Sequence, residues 1–111
     1  MIEIVKNKSN INEEEVNNII TRVKALIITS DNRILLGHSF CEYQFPGGHV
    51  ENNEALLLAL KRELEEETGL VFDTDNLEAF AVLKKYFKDY PSKKVNTKLL
   101  IYYYVIKDDR V

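Results

Sequence analysis

The sequence predicts an α+β fold on a mixed or antiparallel sheet, and three observations carry that reading. Val23–Thr29, Leu77–Phe87 and Lys98–Ile106 are dense in β-branched and aromatic residues, as strands are. The run from Asn53 to about Thr68 instead repeats its leucines at helical spacing. Strands and helix follow one another without the regular alternation of a parallel βαβ architecture. At 111 residues, one domain over 1–111 is expected. With 45% hydrophobic and 30% charged residues, the chain has the mix of a packed domain rather than a disordered one.

Each element has a local reason. Val23–Thr29 (VKALIIT) is a strand, Ser30-Asp31-Asn32 carries turn chemistry, and Arg33–Gly37 reads as the returning arm of a hairpin. Gln44-Phe45 is a short extended piece that ends at the breaker Pro46-Gly47-Gly48. In the helix, Leu56, Leu57, Leu60 and Leu64 fall within an arc of about 100°, which makes them its core face. Gly69 stands where a left-handed cap belongs. Lys88–Thr97 is a polar, basic loop between the last two strands. Residues 1–20 stay open between a strand at MIEIV and a short helix capped by Asn12 and running to Ile20. A sheet this apolar needs cover on both faces, and the helix supplies one cover. The second is expected from the N-terminal segment, a partner chain in a homodimer, or residues beyond Val111, the chain reading as incomplete at its C-terminal end.

Composition excludes several classes. The net charge of −3 gives no bulk field for a polyanion, so DNA binding is not expected. The single cysteine, Cys41, excludes an internal disulfide framework and reads as a small buried packing residue. No run of about 18 apolar residues is present to cross a membrane, and MIEIVKNKSN is not a signal peptide. A soluble, cytoplasmic protein is expected.

The chemistry concentrates in FPGGHVENNEALLLALKRELEEETGL, residues 45–70. With Glu63 as zero on a helical wheel, Glu67 falls near about +40° and Glu66 near about −60°, while Glu65 points away to solvent. Like charges so placed weaken a helix. Taken alone, such a face is either simply solvated or built to hold a cation. All-oxygen ligands suit the hard ions Mg²⁺, Mn²⁺ and Ca²⁺, and His38 and His49 alone do not make a zinc site. Pro46-Gly47-Gly48 would bring backbone close to such an ion.

This segment resembles the signature of the Nudix (MutT-like) hydrolases. Gly48 is followed after five residues by Glu54, then after seven by Arg62-Glu63, Leu64, Glu65, Glu66-Glu67, Thr68, Gly69 and Leu70. Seven fixed positions match by chance on the order of 10⁻⁹ per start point, so the spacing is not accidental. The resemblance implies an α/β/α sandwich around a mixed sheet. It implies Mg²⁺- or Mn²⁺-dependent hydrolysis of the pyrophosphate bond in a nucleoside diphosphate linked to another group X, a small-molecule nucleotide being the substrate. Glu63, Glu66 and Glu67 are implied as metal ligands, with the carbonyl of Gly47 as a further one. Arg62 is expected to orient Glu63, and Glu54 to hold the loop against the helix. A general base in a downstream loop is common in the family, and Asp89 lies in such a loop. His38, Phe40 and Tyr43, with Gln44, lie on the approach that lines the substrate cleft in relatives. Two other readings stand beside this one. One is a non-catalytic nucleotide-sensing module. The other is RNA 5′-end hydrolysis, motivated by Lys84, Lys85, Lys88, Lys93 and Lys94 interleaved with Tyr86, Phe87 and Tyr90.

Overall fold

The structure, a computed structural model, describes residues 1–39 and 41–111. Strands β1 (Ile2–Lys6), β2 (Asn18–Ile28), β3 (Gly37–Ser39), β4 (Glu42–Gln44) and β5 (Gly47–His49) precede helix α1 (Leu56–Thr68). Strands β6 (Ala81–Phe87) and β7 (Thr97–Lys107) follow it. Five strands form one sheet in the order β1-β6-β7-β2-β5. The pairs β1–β6 and β2–β7 are parallel, and β6–β7 and β2–β5 are antiparallel, so the sheet is mixed and the class is α+β.

Alternation along the strands sorts the two faces. Val23, Ala25 and Ile27 of β2 lie level with Tyr102, Tyr104 and Ile106 of β7. Together with Ala59, Leu60 and Leu64 of α1 and with Phe72 they form the core. Val23, Leu60 and Leu64 are fully enclosed, and Leu56 and Leu57 pack at the margin. Ala59 is a core position the leucine count did not include. The helix ends as the glycine signal predicts: Gly69 has φ 75° and its N–H donates to the carbonyl of Glu65.

Several expectations are corrected. The N-terminal segment extends the sheet as β1 instead of covering its second face, and Ile2 and Ile4 there are 61% and 49% exposed. The Asn12 helix is one 3₁₀ turn, Glu13–Glu15, closed by the Glu15 carboxylate accepting from the Asn12 N–H. Arg33–Gly37 returns along β2 for a short stretch only, with the bridge Ile28 to Ile34 and hydrogen bonds from the Thr29 N–H to the Arg33 carbonyl and from the Leu35 N–H to the Ile27 carbonyl, before Gly37 enters β3. Gly47 and Gly48 do not break the chain; they are strand β5, paired with Lys24 and Val23. Asn53 is a left-handed turn residue (φ 64°), so α1 begins three residues later, after Ala55. Cys41 is exposed rather than buried, beside β4, which with β3 forms a sheet separate from the five-stranded one. Among the described residues α1 is the only α-helix, one layer on one face of the sheet.

Candidate functional site

Strand β5 joins the edge of β2 and brings two glycines against α1. Gly47 has φ 145°, and a Cβ there would lie 2.0 Å from the carbonyl oxygen of Val23. Only glycine permits that conformation at that spacing. Gly48 faces the helix, and a Cβ there would lie 2.4 Å from Oε2 of Glu63. The carboxylate of Glu63 thus occupies the room a side chain would take. Alternation turns the Gly47 N–H away from β2, and it donates to Oε2 of Glu67 at 2.9 Å.

Arg62 organises the remaining acids. Its guanidinium forks onto Glu54, Nε to Oε2 at 2.8 Å and Nη2 to Oε1 at 2.9 Å. Nη1 reaches Glu63 at 2.9 Å and Glu66 at 3.4 Å, and Nη2 also donates to the carbonyl of His49 at 3.0 Å. Glu54 in turn accepts the N–H of Glu51 at 3.0 Å. One cation therefore ties the loop after β5 to the helix. The Arg62 hydrogen bonds hold the Glu54 carboxyl at about 2, well below its usual range, and Glu54 raises Arg62 correspondingly. Glu67 is shifted the other way. Desolvation is the main cause, the Gly47 N–H opposes it, and Glu63 and Glu66 add repulsion.

The donor set fits a hard divalent cation in chemistry: three carboxylates from adjoining helical turns, with all-oxygen ligation. They are not gathered as a finished cage. Among the described residues no group of three or more His, Cys, Asp or Glu side chains is spaced to hold an ion. The reason is visible in the contacts: Arg62 draws Glu63 and Glu66 one way, and the Gly47 N–H draws Glu67 another.

A cavity of about 610 Å³ opens beside Glu67. Leu35, Leu36, Phe45, Pro46 and Leu70 give it apolar walls, and Lys24, His38 and Gln44 bring polar groups to it. His38 therefore lines the cleft, leaning on Tyr43 with ring centroids 4.7 Å apart. Tyr43 itself is 72% exposed and is not part of the wall. Phe40 lies outside the described residues. Lys24 is the residue the sequence reading missed. Its ammonium donates to the Phe45 carbonyl at 3.1 Å and to Gln44 Oε1 at 3.3 Å. Desolvation lowers its pKa, partly countered by Glu67. A lysine in the middle of an otherwise apolar strand, between Val23 and Ala25, was the available signal.

Asp89 does not reach this site. It follows Phe87, which lies level with Thr97 and, through it, Asn18. That is six residues, about 20 Å, along β2 from Lys24 and Gly47. Its carboxylate accepts the Lys94 N–H instead. The basic cluster divides as well. Lys84 pairs with Glu3, whereas Lys85 and Lys88 join Lys6, Lys8, Phe87 and Tyr90 around a second cavity of about 460 Å³.

Comparison with known proteins agrees with the fold. The NUDIX domain family matches residues 20–111. An RNA pyrophosphohydrolase of Francisella tularensis subsp. mediasiatica is 34% identical over 79 residues, 68% of this chain and 50% of the relative. An 8-oxo-dGTP diphosphatase of Buchnera aphidicola subsp. Schizaphis graminum is 61% identical over 28 residues, 25% of this chain and 22% of the relative. The chain thus spans half or less of the length of these relatives. The crystal structure of a MutT protein from Bacillus halodurans superposes with a TM-score of 0.56 at 23% identity, over 78% of this chain and 56% of that one. Glycine strand, glutamate-bearing helix and family match coincide, and the chain belongs to the Nudix family.

Proposed function

We propose that the chain carries out Mg²⁺- or Mn²⁺-assisted hydrolysis of the pyrophosphate bond in a nucleoside diphosphate linked to a further group X. One observation carries this reading: Glu67, held by the Gly47 N–H and kept partly desolvated beside Glu63, stands on the rim of the apolar cavity. Glu63, Glu66 and Glu67 would hold the cation, and Gly47 would add a main-chain oxygen. A divalent ion held there would supply charge neutralisation of the diphosphate and a lowered pKa for bound water. Arg62 positions Glu63, and Glu54 keeps Arg62 charged and fixed. The cavity takes the nucleoside and keeps water from its bound face.

The test is turnover of a panel of nucleoside triphosphates, nucleotide sugars, dinucleotides and ADP-ribose with Mg²⁺, for wild type and Glu67→Gln. Metal-dependent turnover that falls by about 100-fold or more in the variant is expected. Tight nucleotide binding without any product would instead identify a sensing module. RNA 5′-end hydrolysis is a second reading. The name of the Francisella relative and the lysine-lined second cavity favour it. It predicts RNA binding that weakens steeply with salt, and a flat salt response removes it.

A further inference from the structure

Lys24 is out of place for a wall residue of an apolar cavity. Val23 and Ala25 on either side of it turn into the core, so alternation sets Lys24 on the other face of β2, level with Tyr103 of β7. An ammonium has three donors. Two are taken by the Phe45 carbonyl and by Gln44 Oε1, at 3.1 and 3.3 Å. These two contacts anchor the head group on the β4–β5 segment, and the third donor has no protein acceptor among the described residues. Gln44 contributes an amide beside it, and Phe45 stands edge-on to Tyr103 at 6.5 Å. Apolar walls with one or two convergent polar groups are how proteins bind a flat heterocycle and read its edge.

We propose that this cavity holds the nucleobase of the substrate and that Lys24 is a specificity-determining residue, donating to the exocyclic carbonyl oxygen of a keto base such as guanine, hypoxanthine or uracil. An ammonium can only donate. The 6-oxygen and N7 of guanine accept, whereas adenine turns an amino group toward the same place. A base carrying that amino group leaves the lysine donor unmatched and sets donor against donor. The inference rests on the nucleotide reading above, but its test does not need turnover.

Calorimetry with GMP and AMP, on wild type, Lys24→Met and Lys24→Arg, reads the discrimination directly. Wild type should bind GMP about tenfold more tightly than AMP. In Lys24→Met the ratio should fall to near one, and Lys24→Arg, which keeps the donors, should preserve it. A ratio, unlike an affinity, is not moved by a general loss of folded protein. Equal binding of the two nucleotides by wild type, or an unchanged ratio in Lys24→Met, overturns the proposal. Where turnover is present, kcat/KM for guanine over adenine substrates should collapse in the same variant while its metal dependence stays. Failure of the catalytic reading would show as absent turnover with the binding ratio intact.

Discussion

Gly47 and Gly48 are neighbours in one short strand, yet alanine at each should fail in a different way. At Gly47 a Cβ would meet backbone: 2.0 Å from the Val23 oxygen and 2.8 Å from the Lys24 Cα. Backbone in a central strand has nowhere to go, and φ 145° strains any side chain in addition. Overpacking and backbone strain each cost about 1–3 kcal/mol, so Gly47→Ala should lose about 4 kcal/mol. At Gly48 the obstacle is the carboxylate of Glu63, 2.4 Å from the new methyl. That carboxylate is the end of a flexible chain, and about 1 Å of movement restores an ordinary contact at an off-rotamer cost of about 1 kcal/mol. The same movement takes Glu63 away from Arg62, now 2.9 Å distant. A displacement of that size at a reacting site costs about 100-fold in rate. Urea denaturation and Mn²⁺-dependent turnover, measured on both variants, separate the two effects. Gly48→Ala should stay folded and lose activity; Gly47→Ala should lose the fold. A Gly48→Ala protein with wild-type turnover would refute the reasoning, because Glu63 would then not need the place it occupies.

Two pH predictions have opposite signs. Glu54 has a depressed pKa, about 2 against an ordinary 4.5, so it stabilises the fold above 4.5 and that contribution is lost as pH falls toward 2. Urea midpoints of Glu54→Gln between pH 5 and pH 2 should therefore fall less steeply than those of wild type. Glu67 has a raised pKa, so the native state favours its protonated form below 4.5 and loses that advantage as pH rises through the shifted value. Glu67→Gln should accordingly be more stable than wild type at pH 7 while losing turnover; equal or lower stability would show that Glu67 is not desolvated. Leu64→Ala, at a fully enclosed core position, should cost about 2–5 kcal/mol in urea denaturation. Cys41, being exposed, should react with a thiol reagent in native buffer as fast as in denaturant.

What was legible in the sequence follows the range of the interactions involved. The leucine stripe and Gly69 are local signals, and they placed α1 and its left-handed end. Strands rich in β-branched residues were placed to within a few positions, since β7 (Thr97–Lys107) covers the predicted Lys98–Ile106. The errors came where partners far along the chain decide. Ile19 and Ile20 extend β2 because Lys98 and Leu99 of β7 lie beside them, a pairing across 79 residues. Glycine signalled a break at residues 47 and 48, whereas pairing with Val23 and Lys24 makes them a strand. For the site, helical spacing brought Glu63, Glu66 and Glu67 to one side of α1, but it could not show that Arg62 and the Gly47 N–H pull them in different directions. Lys24 escaped because only the folded sheet sets it beside Glu67 in one cavity.

The arrangement of charge argues against a merely solvated acidic face. A solvated helix would leave its glutamates to water, as Glu65 is left. Here Glu54 and Glu63 are drawn in around a single guanidinium, while Glu66 and Glu67 stay open to solvent yet are each tied down, Glu66 by Arg62 and Glu67 by the Gly47 N–H. Arg62 spends its best geometry on Glu54, which lies off the helix, and makes its longest hydrogen bond with Glu66, at 3.4 Å. Among the described residues Glu67 has no ion-pair partner, only the Gly47 N–H and the field of Lys24. Glu63 and Glu66 thus share what is left of one positive charge, and Glu67 is held beside them at a desolvation cost. If the role of Arg62 were to stabilise the helix, the like charges around it would be fewer. Its contacts instead fix the loop to the helix through Glu54 and leave the three helical acids under-neutralised, which is the condition under which a divalent cation gains most by binding.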